Sequence, residues 1–243
     1  MLYKFHQINK FLYQLLIDNN LWFSDPREFN DPFDMRFFSN VIMSPDKKEN
    51  MYNEMIKNVQ QEYPFLKEDE IKGFITETAE QLDLDKNYNT ILLQMSTKFG
   101  ICCFSETVDN ILMWSHYTDG HKGLCLEFDF EHLSKIEKSW LIKVKYSNDF
   151  PIVNGNEDLE KAFTTKSSCW YYEKEFRILA STQGLLKFPK EALKSIIFGA
   201  KSEESEINRI IKLVNQSGYK DIAFKRARID EKKYQLNYFD IML

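Results

Sequence analysis

The sequence predicts an α+β protein in which a mixed β-sheet carries flanking helices and a helical insertion. Short apolar segments of strand length alternate with amphipathic segments near both ends of the chain. Between about 45 and 98, apolar residues instead recur three or four positions apart over long stretches. No Pro/Gly/Ser-rich linker divides the 243 residues, so we expect a single domain, 1–243, with the insertion inside it.

The first element is predicted to be a strand over residues 1–6. Its alternating pattern places Leu2, Lys4 and His6 on one face. A helix with apolar positions at helical spacing follows from about Asn9.

Two short segments then lead into the insertion. The apolar segment 21–24 is predicted to be a strand, and the two Asp-Pro steps in 24–34 predict an ordered loop. The same reasoning gives the remaining elements. We expect strands at 100–105, 123–129, 139–146, 171–180 and 195–199, helices at 109–120, 157–164 and 202–216, and a final hairpin at 221–241.

Composition limits the classes of function. A net charge of −5 argues against a surface built mainly for nucleic acid, although a local basic groove stays open. The chain has no secretory signal pattern and no run of eighteen apolar residues, which predicts a cytoplasmic protein without membrane association. No pair among the four cysteines has the spacing of a zinc knuckle. This use of cysteine fits a reduced, cytosolic protein.

The segment NILMWSHYTDGHKG, 110–123, is the richest in chemistry-bearing side chains. On a helix, His116 and Tyr117 lie beside each other and Trp114 adjoins Tyr117, with Ser115 and His121 close by. An imidazole and flat rings are what catalysis on a heteroaromatic ligand needs. The alternative is ordinary core packing of the same residues.

A second candidate segment is WYYEKEFRILA, 170–180. Read as one strand, it directs Glu173, Glu175 and Arg177 to the face opposite the core, with Trp170 flanking them. Two carboxylates beside an arginine form a possible active-site wall. The alternative is a solvated ion pair on a half-exposed strand.

The loop FNDPFD, 29–34, supplies further polar groups. Asn30, Asp31 and Asp34 either contact the hydroxyls of a ligand or cap the next element. No metal is expected, because the histidines lack metal-ligand spacing. Neither a dinucleotide fingerprint nor a Walker motif occurs in the chain, and a nucleophilic Cys103 or Cys125 stays an alternative.

Several of these motifs, in this order, make the chain familiar as a whole. The segments are LYKF, LWFSDPREFNDPFD, CFSE, NILMWSHYTDGHKGLCLEFD, WYYEKEFRI and IIFG. The sequence resembles the bacterial family called domain of unknown function 2971, over nearly the whole chain apart from the insertion. This resemblance implies no particular reaction.

A second resemblance, at the level of the fold, is to ADP-ribosyltransferases, in which NAD lies in a cleft between two small sheets. It rests on four features: a first strand in which Leu-Tyr precedes a basic residue, the helix that follows, the LWFS strand, and a late strand with Glu-x-Glu. The resemblance implies that NAD is a substrate, which Lys4 or His6 anchors. It also implies that Tyr117 or Trp114 stacks on nicotinamide, that Glu175 with Glu173 stabilises the ribosyl cation, and that Arg177 holds a phosphate.

Three functions are therefore predicted from the sequence. The first is an NAD-consuming transferase or glycohydrolase, serving as a bacterial toxin or phage-defence effector, with a protein or a nucleic acid as acceptor. The second is a non-catalytic module that binds a nucleotide or peptide. The third is a nuclease that holds Mg²⁺ on Asp34, Glu173 and Glu175.

Overall fold

The structure is a computed structural model that describes residues 1–38, 45–62, 64, 67–81, 98–153 and 158–242. The chain divides into two compact units. The first comprises 1–35, 97–150 and 163–243, and the second comprises 36–96 and 151–162. The expectation of one domain with an insertion stays a prediction.

The strands of the first unit account for most of its architecture. They are β1 (Leu2–His6), β2 (Asn20–Phe23), β3 (Gly100–Ser105), β4 (Leu124–Phe128), β5 (Ser139–Lys143), β6 (Lys145–Ser147), β7 (Thr165–Ser167), β8 (Glu175–Ala180), β9 (Gly184–Lys187), β10 (Leu193–Phe198), β11 (Ala223–Ile229) and β12 (Leu236–Asp240).

Eight of these strands form one mixed sheet, in the order β12-β11-β10-β4-β1-β3-β8-β5. Strands β10 and β11 pair in parallel, and the other neighbours in this sheet pair antiparallel. Two-stranded sheets form from β2 with β9 and from β6 with β7. The predicted α+β class is confirmed. The described residues contain the predicted mixed sheet, together with the two small sheets.

The helices surround this sheet or belong to the second unit. They are α1 (Lys10–Asp18), α2 (Pro45–Glu62), α3 (Glu68–Gln81), α4 (Ile111–Tyr117), α5 (Phe130–Leu133), α6 (Leu159–Thr164) and α7 (Glu204–Gln216). In α1, Asn9 accepts hydrogen bonds from the first-turn amides and Asn19 adopts a left-handed conformation after the last turn. Part of the predicted insertion, 82–97, lies outside the described residues.

Two predicted strands differ from the structure. The predicted strand 139–146 is divided at Val144 into β5 and β6, which belong to different sheets. The predicted strand 171–180 begins only at 175, because Ser168–Glu173 form a 3-10 helix. Ser167 caps that helix, and Lys174 leaves it in a left-handed conformation.

The central strands of the sheet are buried on both faces. On β4, Leu124, Leu126 and Phe128 pack into a core that also contains residues of α1 and α7. Cys125, on the other face, packs with Phe5 and Trp114. This second face fixes α4 against β1. None of the helices in the described residues has the length and apolar character needed to cross a membrane.

Candidate functional site

A cavity of about 200 Å³ lies where β1, β3 and β8 meet α4 and the loop 29–34. We call it the acidic cavity. The carboxylate-bearing residues of its wall are Asp31, Asp34, Glu173 and Glu175. Its other lining residues are Tyr3, Lys4, Phe5, Phe29, Asn30, Cys103, Phe104, Ser105, Met113, Tyr117, Lys166 and Trp170.

Lys166 joins the two glutamates of this wall. Its Nζ lies 2.5 Å from Glu173 Oε2 and 2.7 Å from Glu175 Oε2. Because both oxygens contact the same nitrogen, they lie no more than about 5 Å apart. Both glutamates and the lysine are buried. Burial lowers the pKa of Lys166, but the charges of Glu175 and Glu173 outweigh this and raise it, so the lysine is charged.

Arg177 completes the cluster beneath the cavity wall. Its Nε donates a 2.7 Å hydrogen bond to Glu175 Oε1, and its second terminal nitrogen donates one of 2.7 Å to Asp34 Oδ2. A further N–H donates to the carbonyl of Phe163. The guanidinium is fully buried, so these three acceptors are what offsets its desolvation.

The two glutamates differ in their protonation chemistry. Burial raises the pKa of Glu175, but the charges of Arg177 and Lys166 outweigh burial and lower this pKa to about 2. Burial raises the pKa of Glu173 by more than Lys166 and the Tyr117 hydroxyl lower it, so its pKa is above the usual value. Glu175 therefore stays ionised, while Glu173 takes up a proton at a higher pH than Glu175 does.

Aromatic and hydroxyl groups enclose the carboxylates. The Tyr117 hydroxyl donates a 2.6 Å hydrogen bond to Glu173 Oε1. The Trp170 Nε1–H donates one of 2.7 Å to Asp31, and the Lys166 ammonium lies 5.2 Å from the centre of the Trp170 ring. These contacts fix the ring and the loop 29–34 against the carboxylate cluster.

A second cavity of about 710 Å³ adjoins the first. We call it the aromatic cavity, because Phe11, Trp22 and Phe29 lie in its wall. The two cavities share Lys4 and Asn30 among their lining residues. Lys4 Nζ donates a 3.1 Å hydrogen bond to the Cys103 carbonyl, which holds the ammonium where the two cavities meet.

Most of the residues predicted from the sequence converge on these cavities. Those in the wall of the acidic cavity are Lys4, Asn30, Asp31, Tyr117, Trp170, Glu173 and Glu175. His6 and His116 lie in the wall of the aromatic cavity. Burial lowers the pKa of His6, which favours its neutral form.

Four predicted residues line neither cavity. Trp114 is fully buried, and its indole N–H donates to the carbonyl of Val108. Its packing against Phe5 agrees with the alternative of core packing. Ser115 and His121 contact each other, with Oγ 3.2 Å from Nε2. The fourth is Arg177, whose donors are bonded within the protein.

The alternative of a solvated ion pair on strand 171–180 is wrong. Glu175 is 3 % exposed and Arg177 is fully buried, because this face of β8 is covered rather than open to water. Glu173 reaches the same cluster from the preceding 3-10 helix and not from the strand. The face predicted to be opposite the core is thus the interior of a charged cluster.

Lys166 was missed by the sequence reasoning. It lies in the short segment TTKSS, where a single lysine between small polar residues indicates a solvated strand. Its role in the cluster comes from its contacts with Glu173 and Glu175, which lie seven and nine residues further along the chain. Among the described residues, no group of three or more His, Cys, Asp or Glu is arranged to hold a metal ion.

The fold and the site together define an α+β protein with a charged, aromatic-walled cleft on a mixed sheet. The model of a family described as "Protein of unknown function (DUF2971)" matches residues 113–178 of this chain. That segment contains most of α4, Lys166, both glutamates and Arg177, and over these residues the match confirms the family resemblance drawn from the sequence. No curated protein and no solved structure matches the chain.

Proposed function

We propose that the protein is an enzyme that cleaves the N-glycosidic bond of NAD, with the nicotinamide riboside half in the acidic cavity. The observation that carries this proposal is the distribution of charge along the two cavities. Three carboxylates of the acidic cavity wall, those of Asp34, Glu173 and Glu175, pair with two buried cations, Lys166 in the wall and Arg177 behind it. Lys4 lies where the acidic cavity meets the aromatic one.

NAD has the matching polarity. Its nicotinamide ring is a cation and its pyrophosphate is anionic. A ligand with the ring near Glu173 and the pyrophosphate near Lys4 would place each charge beside an opposite one. The larger volume of the aromatic cavity leaves room for the rest of the dinucleotide.

The carboxylates also suit the chemistry of the bond. When the bond between the ribose C1′ and the ring nitrogen breaks, its electron pair leaves with nicotinamide and positive charge develops on the ribose. A carboxylate beside the ribose stabilises that oxocarbenium-like state. Water, or the hydroxyl of a protein or nucleic-acid acceptor, then forms the new bond at C1′ and loses its proton.

We assign the principal role to Glu173 rather than to Glu175. Both oxygens of Glu175 accept hydrogen bonds from cationic groups, Arg177 and Lys166. Glu173 has one oxygen on Lys166 and the other on the neutral Tyr117 hydroxyl. Less of its charge is compensated, so it interacts more strongly with a developing cation.

A non-catalytic nucleotide-binding module is the second candidate. The observation that favours it is the saturation of Glu175, which is the structural ion-pair role expected of a passive binder. In that case NAD raises the unfolding temperature without forming a product. The Mg²⁺-dependent nuclease has less support, since Asp34, Glu173 and Glu175 all contact Lys166 or Arg177.

The test is the release of free nicotinamide from NAD by the purified protein. We expect turnover by the wild type and a loss of at least about a hundredfold in Glu173→Gln, which keeps the shape and removes the charge. Glu127→Gln is the matched control, because Glu127 also accepts from a tyrosine, Tyr3, but lies outside both cavities. Release that is unchanged in Glu173→Gln would exclude this role.

The biological role follows from the same reaction. Consumption of cellular NAD is how a small enzyme of this kind would act as a toxin or phage-defence effector. Growth arrest after induction of the wild type, and normal growth with Glu173→Gln at equal protein level, is the expected result. Growth arrest with both proteins would show that toxicity does not depend on the Glu173 carboxylate.

A further inference from the structure

The aromatic cavity has a wall that the proposed reaction does not use. Trp22 on β2 and Phe11 on α1 both line it, and they are 54 % and 61 % exposed. Leu185, directly opposite Trp22 on β9, is also exposed and lies in the same wall. Large apolar side chains that converge on one open cavity mark a place where a ligand or partner removes them from water.

The exposure of these rings is set by the elements that carry them. On β2, Leu21 and Phe23 are fully buried, so the alternation of the strand directs Trp22 away from the core. On α1, Leu12 is buried on the core face while Phe11 lies outside it. The backbone therefore holds both rings at the cavity independently of any ligand.

Amide side chains accompany the rings. Gln14 and Asn20 line the cavity, and Asn20 Oδ1 is shielded from solvent with no hydrogen-bond partner among the described residues. Turning this amide toward the cavity breaks no hydrogen bond of that oxygen. A carboxamide presents one donor and one acceptor side by side, which matches the adjacent amino group and ring nitrogen of adenine.

We infer that the aromatic cavity is a binding site for an adenine nucleotide, with the base stacked on Trp22 and Phe11 and its edge read by the Asn20 amide. The chemistry that recognises the ligand is stacking on a flat ring together with a paired donor and acceptor. This inference rests on the proposed function for the identity of the whole ligand as NAD. Lys4, shared by the two cavities, is the cation available to the phosphates.

The test is calorimetric titration with AMP, which has the base and a phosphate but lacks the bond between nicotinamide and ribose that the proposed reaction cleaves. We expect saturable binding by the wild type and weaker binding of cytidine monophosphate. Trp22→Leu is expected to weaken AMP binding at least about tenfold, as for loss of a stacked ring. The matched control is Trp140→Leu, since Trp140 is 56 % exposed on β5 and lines neither cavity.

A second variant, Phe11→Leu, protects the test against a local folding defect in β2. Equal thermal midpoints for the wild type and the three variants show that the fold is intact. Weakened AMP binding in Trp22→Leu and Phe11→Leu, with Trp140→Leu unchanged, supports the site. Absence of AMP binding by the wild type, or wild-type affinity in both cavity variants, overturns it.

The result separates this inference from the proposed function. AMP binding requires no turnover, so binding that depends on Trp22 supports the adenine site even if no nicotinamide is released. Release of nicotinamide that depends on Glu173, with no AMP binding, supports the reaction and overturns the site.

Discussion

The Tyr117 hydroxyl lies 2.6 Å from Glu173 Oε1 and donates a hydrogen bond to it across 56 positions of the chain. It links the end of α4 to the end of the 3-10 helix Ser168–Glu173. The two segments richest in candidate residues therefore meet at one carboxyl group. The protonation of the Glu173 carboxyl group therefore depends on both segments.

Replacing the hydroxyl is expected to shift the pH dependence of the reaction. Tyr117→Phe removes a donor that favours the ionised carboxylate, so the pKa of Glu173 rises above its already raised value. Since the proposed reaction requires ionised Glu173, the acid limb of nicotinamide release is expected to move to higher pH. Tyr171→Phe, at an exposed tyrosine, should leave the limb in place. The profiles of kcat/KM against pH measure this, and superimposed profiles would contradict it.

The buried guanidinium is expected to be a major determinant of stability. Arg177→Met removes the cation but leaves Glu175 and Asp34 buried, which costs about 3 to 5 kcal/mol of unfolding free energy. Urea unfolding measures the difference. The control is Lys122→Met, whose ion pair with Asp119 is exposed on both sides and contributes little. Comparable losses in the two variants would show that burial of the cluster is irrelevant.

Acid unfolding should carry the signature of Glu175. Its folded pKa of about 2 is below its unfolded value, so its contribution to stability is present above about pH 4.3 and is lost as the pH falls toward 2. The shift corresponds to a contribution on the order of 3 kcal/mol. Glu173, with its raised pKa, acts in the opposite sense and loses its contribution as the pH rises through its folded pKa.

The measurement is the unfolding free energy of the wild type and of Glu175→Gln between pH 6 and the acid limit of the folded state. The wild type is expected to lose stability more steeply than the variant below about pH 4.3. Parallel curves would show that Glu175 has the same pKa in the folded and unfolded states, which would contradict the lowered folded pKa.

Replacing Gly123, which follows α4 and precedes β4, is predicted to destabilise the fold. A Cβ at this position would lie 2.2 Å from the His6 carbonyl oxygen, which is backbone and has little freedom to move. Gly123→Ala is therefore expected to lower the unfolding free energy by about 1 to 3 kcal/mol. Gly73→Ala is the comparison, because a Cβ there contacts nothing and helix propensity improves within α3. Thermal unfolding of both variants provides the check.

Periodicity made several elements predictable. The alternation in residues 1–6, the helical spacing after Asn9 and the final hairpin over 221–241 all correspond to elements of the structure. The strand 171–180 was predicted too long, because a capped 3-10 turn ending in a left-handed residue has no periodic signature. The predicted strand therefore includes Glu173, whereas this residue lies in the 3-10 helix that precedes β8.

The sequence by itself determined which residue types are available and which face of each element they occupy. It indicated that Glu175 and Arg177 share one face of β8, since side chains alternate along any strand. Only the tertiary structure decided that this face is buried and that Lys166 joins its two glutamates. Periodicity specifies the direction of a side chain, whereas burial and pairing depend on segments that are distant in the chain and meet only in the folded protein.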